Sequence, residues 1–76
     1  MIKELDSVVL TVDLPEHGLQ EGDIGTVVLV HRGGEGYEVE FVALDGESVA
    51  VVSLPASRVR PIGAHEIAHA RKVEIA

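Results

Sequence analysis

Few residues in this sequence have the types and spacing that chemistry needs. His65-Glu66-Ile67-Ala68-His69 fits HExxH, in which two imidazoles one helical turn apart hold zinc and the intervening Glu acts as general base. Its surroundings argue against that role. The extended motif needs Gly at 72 and His at 75, where Lys72 and Ile75 stand, and a third ligand would have to come from His17, His31 or a carboxylate. His65 and His69 are thus weak metal candidates, and solvent-facing histidines with no bound metal are expected. The serines, Ser7, Ser48, Ser53 and Ser57, lie outside any G-x-S-x-G elbow. Glu38 and Glu40 have a spacing compatible with paired carboxylates, but acid–base work also needs a pocket and shifted pKa values, so a solvated acidic face is expected. Gly33-Gly34-Glu35-Gly36 carries a carboxylate and precedes no helix, which suits a phosphate poorly. Cysteine is absent, removing thiolate nucleophiles, disulfides and Cys-held metals. The expectation is a non-enzyme without a cofactor.

Positioning these residues falls to β-strands. Ser7 to Val12 is a β-branched run closed by Asp13-Leu14-Pro15, and Ile24 to His31 is a second run. Tyr37 to Val42 alternates, with Tyr37, Val39 and Phe41 on one face and Glu38 and Glu40 on the other. Ser48 to Leu54 and the short Arg58 to Ile62 complete five, the last suiting an edge because Pro61 cannot donate to a ladder. Asp45-Gly46 predicts a type I′ hairpin between the third and fourth runs. Asp13 to Asp23 reads as a long polar loop, and Pro55-Ala56-Ser57 as one tight helical turn. This order predicts an all-β fold, a small five-stranded antiparallel SH3-like barrel over residues 1–62. Its predicted core is Val8, Leu10, Val27, Leu29, Val39, Phe41, Val49, Val51 and Val59.

Residues 63–76 change character. Ala64 to Lys72 favours a short helix, with Glu66 in its first turn, Arg71 and Lys72 in its last, and a thin Ala64-Ile67-Ala68 stripe. A helix this short is marginal in water and must dock on the barrel, dock on another chain, or fray. The second and fourth runs are apolar on both faces, so half of those side chains must point outward as a patch. The tail would cover that patch, either on its own chain or in a homo-oligomer, with Val73 and Ile75 extending the contact.

Charge narrows the partners. The formal net charge is −7, and it is uneven. Residues 1–57 hold eleven carboxylates against two cations, Lys3 and Arg32, whereas residues 58–76 hold four cations against two carboxylates. An acidic body repels phosphate backbones and attracts basic surfaces over about 8–10 Å. Aromatic residues make up 3%, too few for base stacking or for a polyproline groove. No apolar run approaches the roughly 20 residues that span a bilayer, and Met1 to Asp6 lacks a signal-peptide pattern, so a cytoplasmic location and no membrane partner are expected.

Glu21-Gly22-Asp23-Ile24-Gly25-Thr26-Val27 resembles the core of the KOW motif, a loop-strand element of ribosomal and transcription-factor SH3-like barrels. Taken with Ile2 to Leu10, Asp13 to Leu19, Gly22 to Val28, Tyr37 to Phe41 and Val59-Arg60-Pro61, the chain resembles a family of small bacterial proteins known as a domain of unknown function, the one numbered 4926. The resemblance covers roughly residues 2–62. It implies a small SH3-like barrel, carries no functional residues, and allows an antidote or accessory-subunit role. The expected function is a protein-interaction module whose acidic residues Glu16, Glu21, Asp23, Glu38 and Glu40 meet a basic protein partner. The alternative is a KOW-type nucleic-acid module using Arg58, Arg60, Arg71 and Lys72, followed at a distance by a metal-binding HExxH protein.

Overall fold

The computed structural model describes residues 1–74. Five antiparallel strands form one sheet: β1 (Ser7–Leu10), β2 (Ile24–His31), β3 (Gly36–Val42), β4 (Ser48–Pro55) and β5 (Val59–Pro61). Their spatial order is β4-β3-β2-β1-β5. The edges β4 and β5 share no ladder, and a single 3-10 turn, Ala56–Arg58, joins them. The sheet encloses one apolar cluster fed by all five strands, an arrangement compatible with the SH3-like barrel expected from the order of runs. Among the described residues no helix is long and apolar enough to cross a membrane.

Alternation on β3 explains the core most directly. Tyr37, Val39 and Phe41 are buried, and they meet Val8, Leu10, Val27, Leu54 and Val59. The long first loop is less polar in role than in composition. Leu14 and Leu19 pair across it as an isolated bridge and are both buried, so the loop is stapled to the core from its middle. Backbone bonds outside the ladder (Leu5 N–H to Val27 O at 2.7 Å, Val27 N–H to Asp6 O at 2.9 Å) extend the tie between the N-terminal segment and β2.

Two predicted core residues lie outside it. Leu29 is 45% exposed and Val51 is 55% exposed. On β2 the register slips between Val27 and Leu29, so the bulge turns Leu29 outward and Val30 toward the core. On β4 the inward positions are Ala50, Val52 and Leu54, and Val49 reaches the cluster only because the register also shifts between Phe41 and Val42. Both strands are apolar on both faces, which leaves the phase to their partners.

The turns also differ from expectation. Gly46 N–H donates to Ala43 O and Ala43 N–H to Glu47 O, both at 2.8 Å, which closes a three-residue loop with Gly46 alone at positive φ (95°). The consecutive positive φ values that a type I′ turn needs occur instead at Arg32 (48°) and Gly33 (69°), between β2 and β3.

The C-terminal helix is not formed. After a bend at Gly63–Glu66 the chain runs irregularly to residue 74, and Ile75 lies outside the described residues. The cause is tertiary. The Glu66 carboxylate takes the Arg60 guanidinium (2.6 and 2.8 Å) and the Gly63 N–H (2.5 Å), while Arg71 reaches back to Asp23. A helix with so thin an apolar stripe offers little against those contacts.

Candidate functional site

The first candidate surface is the outer face of β2, β3 and β4. Register places Leu29, Glu38 and Ser53 in one cross-strand row and Thr26, Glu40 and Val51 in the next. The expected pairing of Glu38 and Glu40 on one face is therefore present, with exposed aliphatic side chains beside each carboxylate. Val28, the bulge residue on β2, adds a third exposed aliphatic group to those of Leu29 and Val51.

Glu38 is the best-connected side chain of this face. His31 Nε2 lies 2.9 Å from its Oε2, and Ser53 Oγ donates to the same oxygen. The Ser53 hydroxyl and then the His31 ring hold its carboxyl below the usual range, outweighing a small desolvation effect. A Ser, a Glu and a His thus touch, but in an order that does not activate the hydroxyl. Ser53 donates to an ionised carboxylate of lowered basicity, and the imidazole binds that carboxylate rather than the serine. The cluster tethers β2, β3 and β4 to one another. Sequence reading missed it because Ser53, Glu38 and His31 come together only through strand register.

The second candidate surface lies around β1. Val9 pairs with Ile24 on one side and Arg60 on the other, so these three share the face opposite Val8 and Leu10. Val9 is nevertheless only 6% exposed. The tail crosses this face as a strap and leaves a groove of about 800 Å³, whose apolar lining includes Ile24, Val42, Leu44 and Ile62. The strap therefore lies on its own chain over β5, β1 and β2. It does not cover the patch on β2 and β4 that was its expected target.

Two ion pairs hold the strap. Arg60–Glu66 is the first, and the Glu66 carboxyl is lowered to about 2 by the Arg60 hydrogen bonds and by the Gly63 N–H. At the second, Arg71 Nε donates to Asp23 Oδ1 at 2.9 Å, one Nη2 bond reaches Asp23 Oδ2, and another reaches Gly18 O at 3.0 Å. Burial works to raise the Asp23 carboxyl, but the Arg71 hydrogen bond, the Gln20 N–H and the Arg71 charge together set it below its usual value.

These contacts redistribute the predicted site residues. The acidic set divides between Glu38 and Glu40 on β3 and Glu16, Glu21 and Asp23 in the first loop, where Asp23 is engaged by Arg71. Among the basic set, Arg60 and Arg71 are paired with carboxylates, whereas Arg58 and Lys72 are exposed. His65 and His69 sit on irregular chain, so the one-turn spacing that HExxH requires is not formed. Among the described residues no three His, Asp or Glu side chains are grouped to hold a metal ion.

A family model described as Domain of unknown function (DUF4926) matches residues 4–61. The chain belongs to this family. The match runs from just before β1 to the end of β5, so the DUF4926 domain comprises the sheet, its turns and the Asp23 loop, while the strap lies beyond the matched residues. No curated protein and no solved structure matches the chain.

Proposed function

We propose that this DUF4926 protein is a non-catalytic protein-interaction module, an acidic accessory or antidote-like subunit whose β2-β3-β4 outer face receives a basic partner. One observation carries the reading: Glu38 and Glu40 stand in adjacent cross-strand rows with exposed Leu29 and Val51 beside them. Aliphatic groups supply contact area, and the carboxylates select a positive partner and oppose a negative one. The net charge of −7 favours encounter with that partner. A second copy meeting this face would set Glu38 and Glu40 against like charge, which disfavours self-association there. The nucleic-acid alternative would draw on Arg58, Arg60, Arg71 and Lys72, of which Arg60 and Arg71 are already engaged by carboxylates.

The test is affinity capture from the native host with the wild-type chain and with a Glu38→Lys/Glu40→Lys variant. A protein retained by the first and lost by the second is the expected result. Enrichment of nucleic acid without protein would reverse the reading, as would equal retention by both chains.

A further inference from the structure

We propose that the Asp23 loop is a binding site for an extended, arginine-bearing segment of a partner protein, which the chain's own Arg71 occupies in cis. The site lies apart from the β3 face and does not depend on it.

The acceptors around Arg71 belong to the domain rather than to the strap. Gln20 N–H donates to Asp23 Oδ2 at 2.8 Å, and Asp23 N–H to Gln20 O at 3.0 Å, which orients the carboxylate. Glu21 N–H is held by Asp13 Oδ1 at 2.8 Å, Gly22 N–H by Leu10 O at 2.9 Å, and Leu10 N–H by Asp23 O at 2.9 Å. None of these bonds involves the tail, so the cradle persists when Arg71 leaves. A carboxylate presenting both oxygens to one guanidinium, with the Gly18 carbonyl beside it, matches the forked donors of arginine; the point charge of lysine fits it less well.

The strap is a weak occupant of this place. Ile67, its largest apolar side chain between the two pins, is 94% exposed and adds almost nothing to burial. Its hold rests on the exposed Arg60–Glu66 pair, an interaction class that contributes little, and on the half-buried Arg71–Asp23 pair. Meanwhile Ile24, Val42 and Ile62, each 42–45% exposed, and Leu44, 94% exposed, line the groove beneath and beside it. A segment carrying arginine and larger aliphatic residues would gain the Asp23 cradle together with contact area that the strap leaves unused. The −7 net charge favours its approach.

The experiment uses the isotope-labelled full chain, as wild type and as Arg71→Ala, observed by amide NMR. The probe is a synthetic peptide of residues 63–74, alongside the same peptide with its arginine replaced by alanine. In Arg71→Ala the arginine peptide should shift the amides of Val9, Asp23, Ile24 and Ile62, and the alanine peptide should bind at least roughly tenfold more weakly. Wild type should also bind the arginine peptide at least about twofold more weakly, because its tethered strap competes at an effective concentration on the order of millimolar. Arg71→Lys, which keeps the charge and loses the fork, serves as the opened form if the alanine variant does not fold. No shifts at millimolar peptide, equal binding of both peptides, or equal binding to both chains would overturn the proposal. So would a wild-type dimer in light scattering that Arg71→Ala dissociates, because the occupant would then be a second copy's tail.

Discussion

Gly25 shows how one residue is constrained by the close approach of two strands. A Cβ built there would lie 2.5 Å from Val39 Cγ1, 2.8 Å from Phe41 Cε2 and 3.0 Å from the Glu40 carbonyl. Two of these contacts are with buried β3 side chains and the third is with backbone, so the relief available by side-chain motion is small. Gly25→Ala should therefore destabilise the chain by about 1–3 kcal/mol, the range for overpacking. Urea denaturation checks it, and an unchanged midpoint would mean that β2 and β3 separate readily at this point. Gly25 belongs to the KOW-like stretch, where sequence alone suggested only a glycine-rich turn feeding a strand. The structure gives its reason, which is packing against Val39 and Phe41.

Among the elements, the strap and β2 are governed by different forces. The strap is electrostatic, and its response to acid follows from Glu66 and Asp23. Both carboxyls lie below their usual values when the strap is docked, Glu66 at about 2 against 4.5. Depressed pKa values stabilise the docked form above the free value, and that stabilisation is lost as pH falls through the docked one. The strap should hold above about pH 4.5 and detach progressively toward pH 2. The amide of Gly63 and the Arg71 side-chain NεH report the two pins by NMR, and shifts constant over that window would contradict the assignment. β2 is held by packing, and its bulge between Val27 and Leu29 decides which residues reach the core. Its run of β-favouring residues located this strand correctly. It left the slip invisible, because Val27, Val28, Leu29 and Val30 are similar in hydrophobicity and only the partner ladder distinguishes them.

For the whole molecule, one core and one charge balance set the behaviour. The ten buried residues of the apolar cluster come from all five strands and the stapled first loop, so unfolding should be a single transition. Phe41 is 2% exposed and joins this core from β3, and Phe41→Ala should cost about 3–5 kcal/mol. In a domain of this size about 1 kcal/mol moves the melting temperature by roughly 4–8 °C, so a fall of more than about 10 °C is expected in calorimetry. A shift of a degree or two would place Phe41 outside the cooperative unit.

Much of the fold was legible in the sequence because strand alternation and turn residues act locally. Tyr37, Val39 and Phe41 could be oriented from period two alone, and Glu38 and Glu40 opposite them by the same rule. The carboxylate pair at the centre of the proposed interface therefore follows from sequence. Tertiary structure decided the rest, wherever local signals were balanced or silent. It chose the phase of β4, whose two faces are equally apolar, and turned Val51 outward. It brought Ser53 and His31 to Glu38 through register across three strands. It also set the marginal helical preference of residues 64–72 against the Arg60–Glu66 pair and the long-range Arg71–Asp23 pair, and the pairs prevailed: a short helix with a thin apolar stripe gains little by folding, whereas Arg60 and Asp23 already stand on the sheet and its loop, ready to hold an irregular chain.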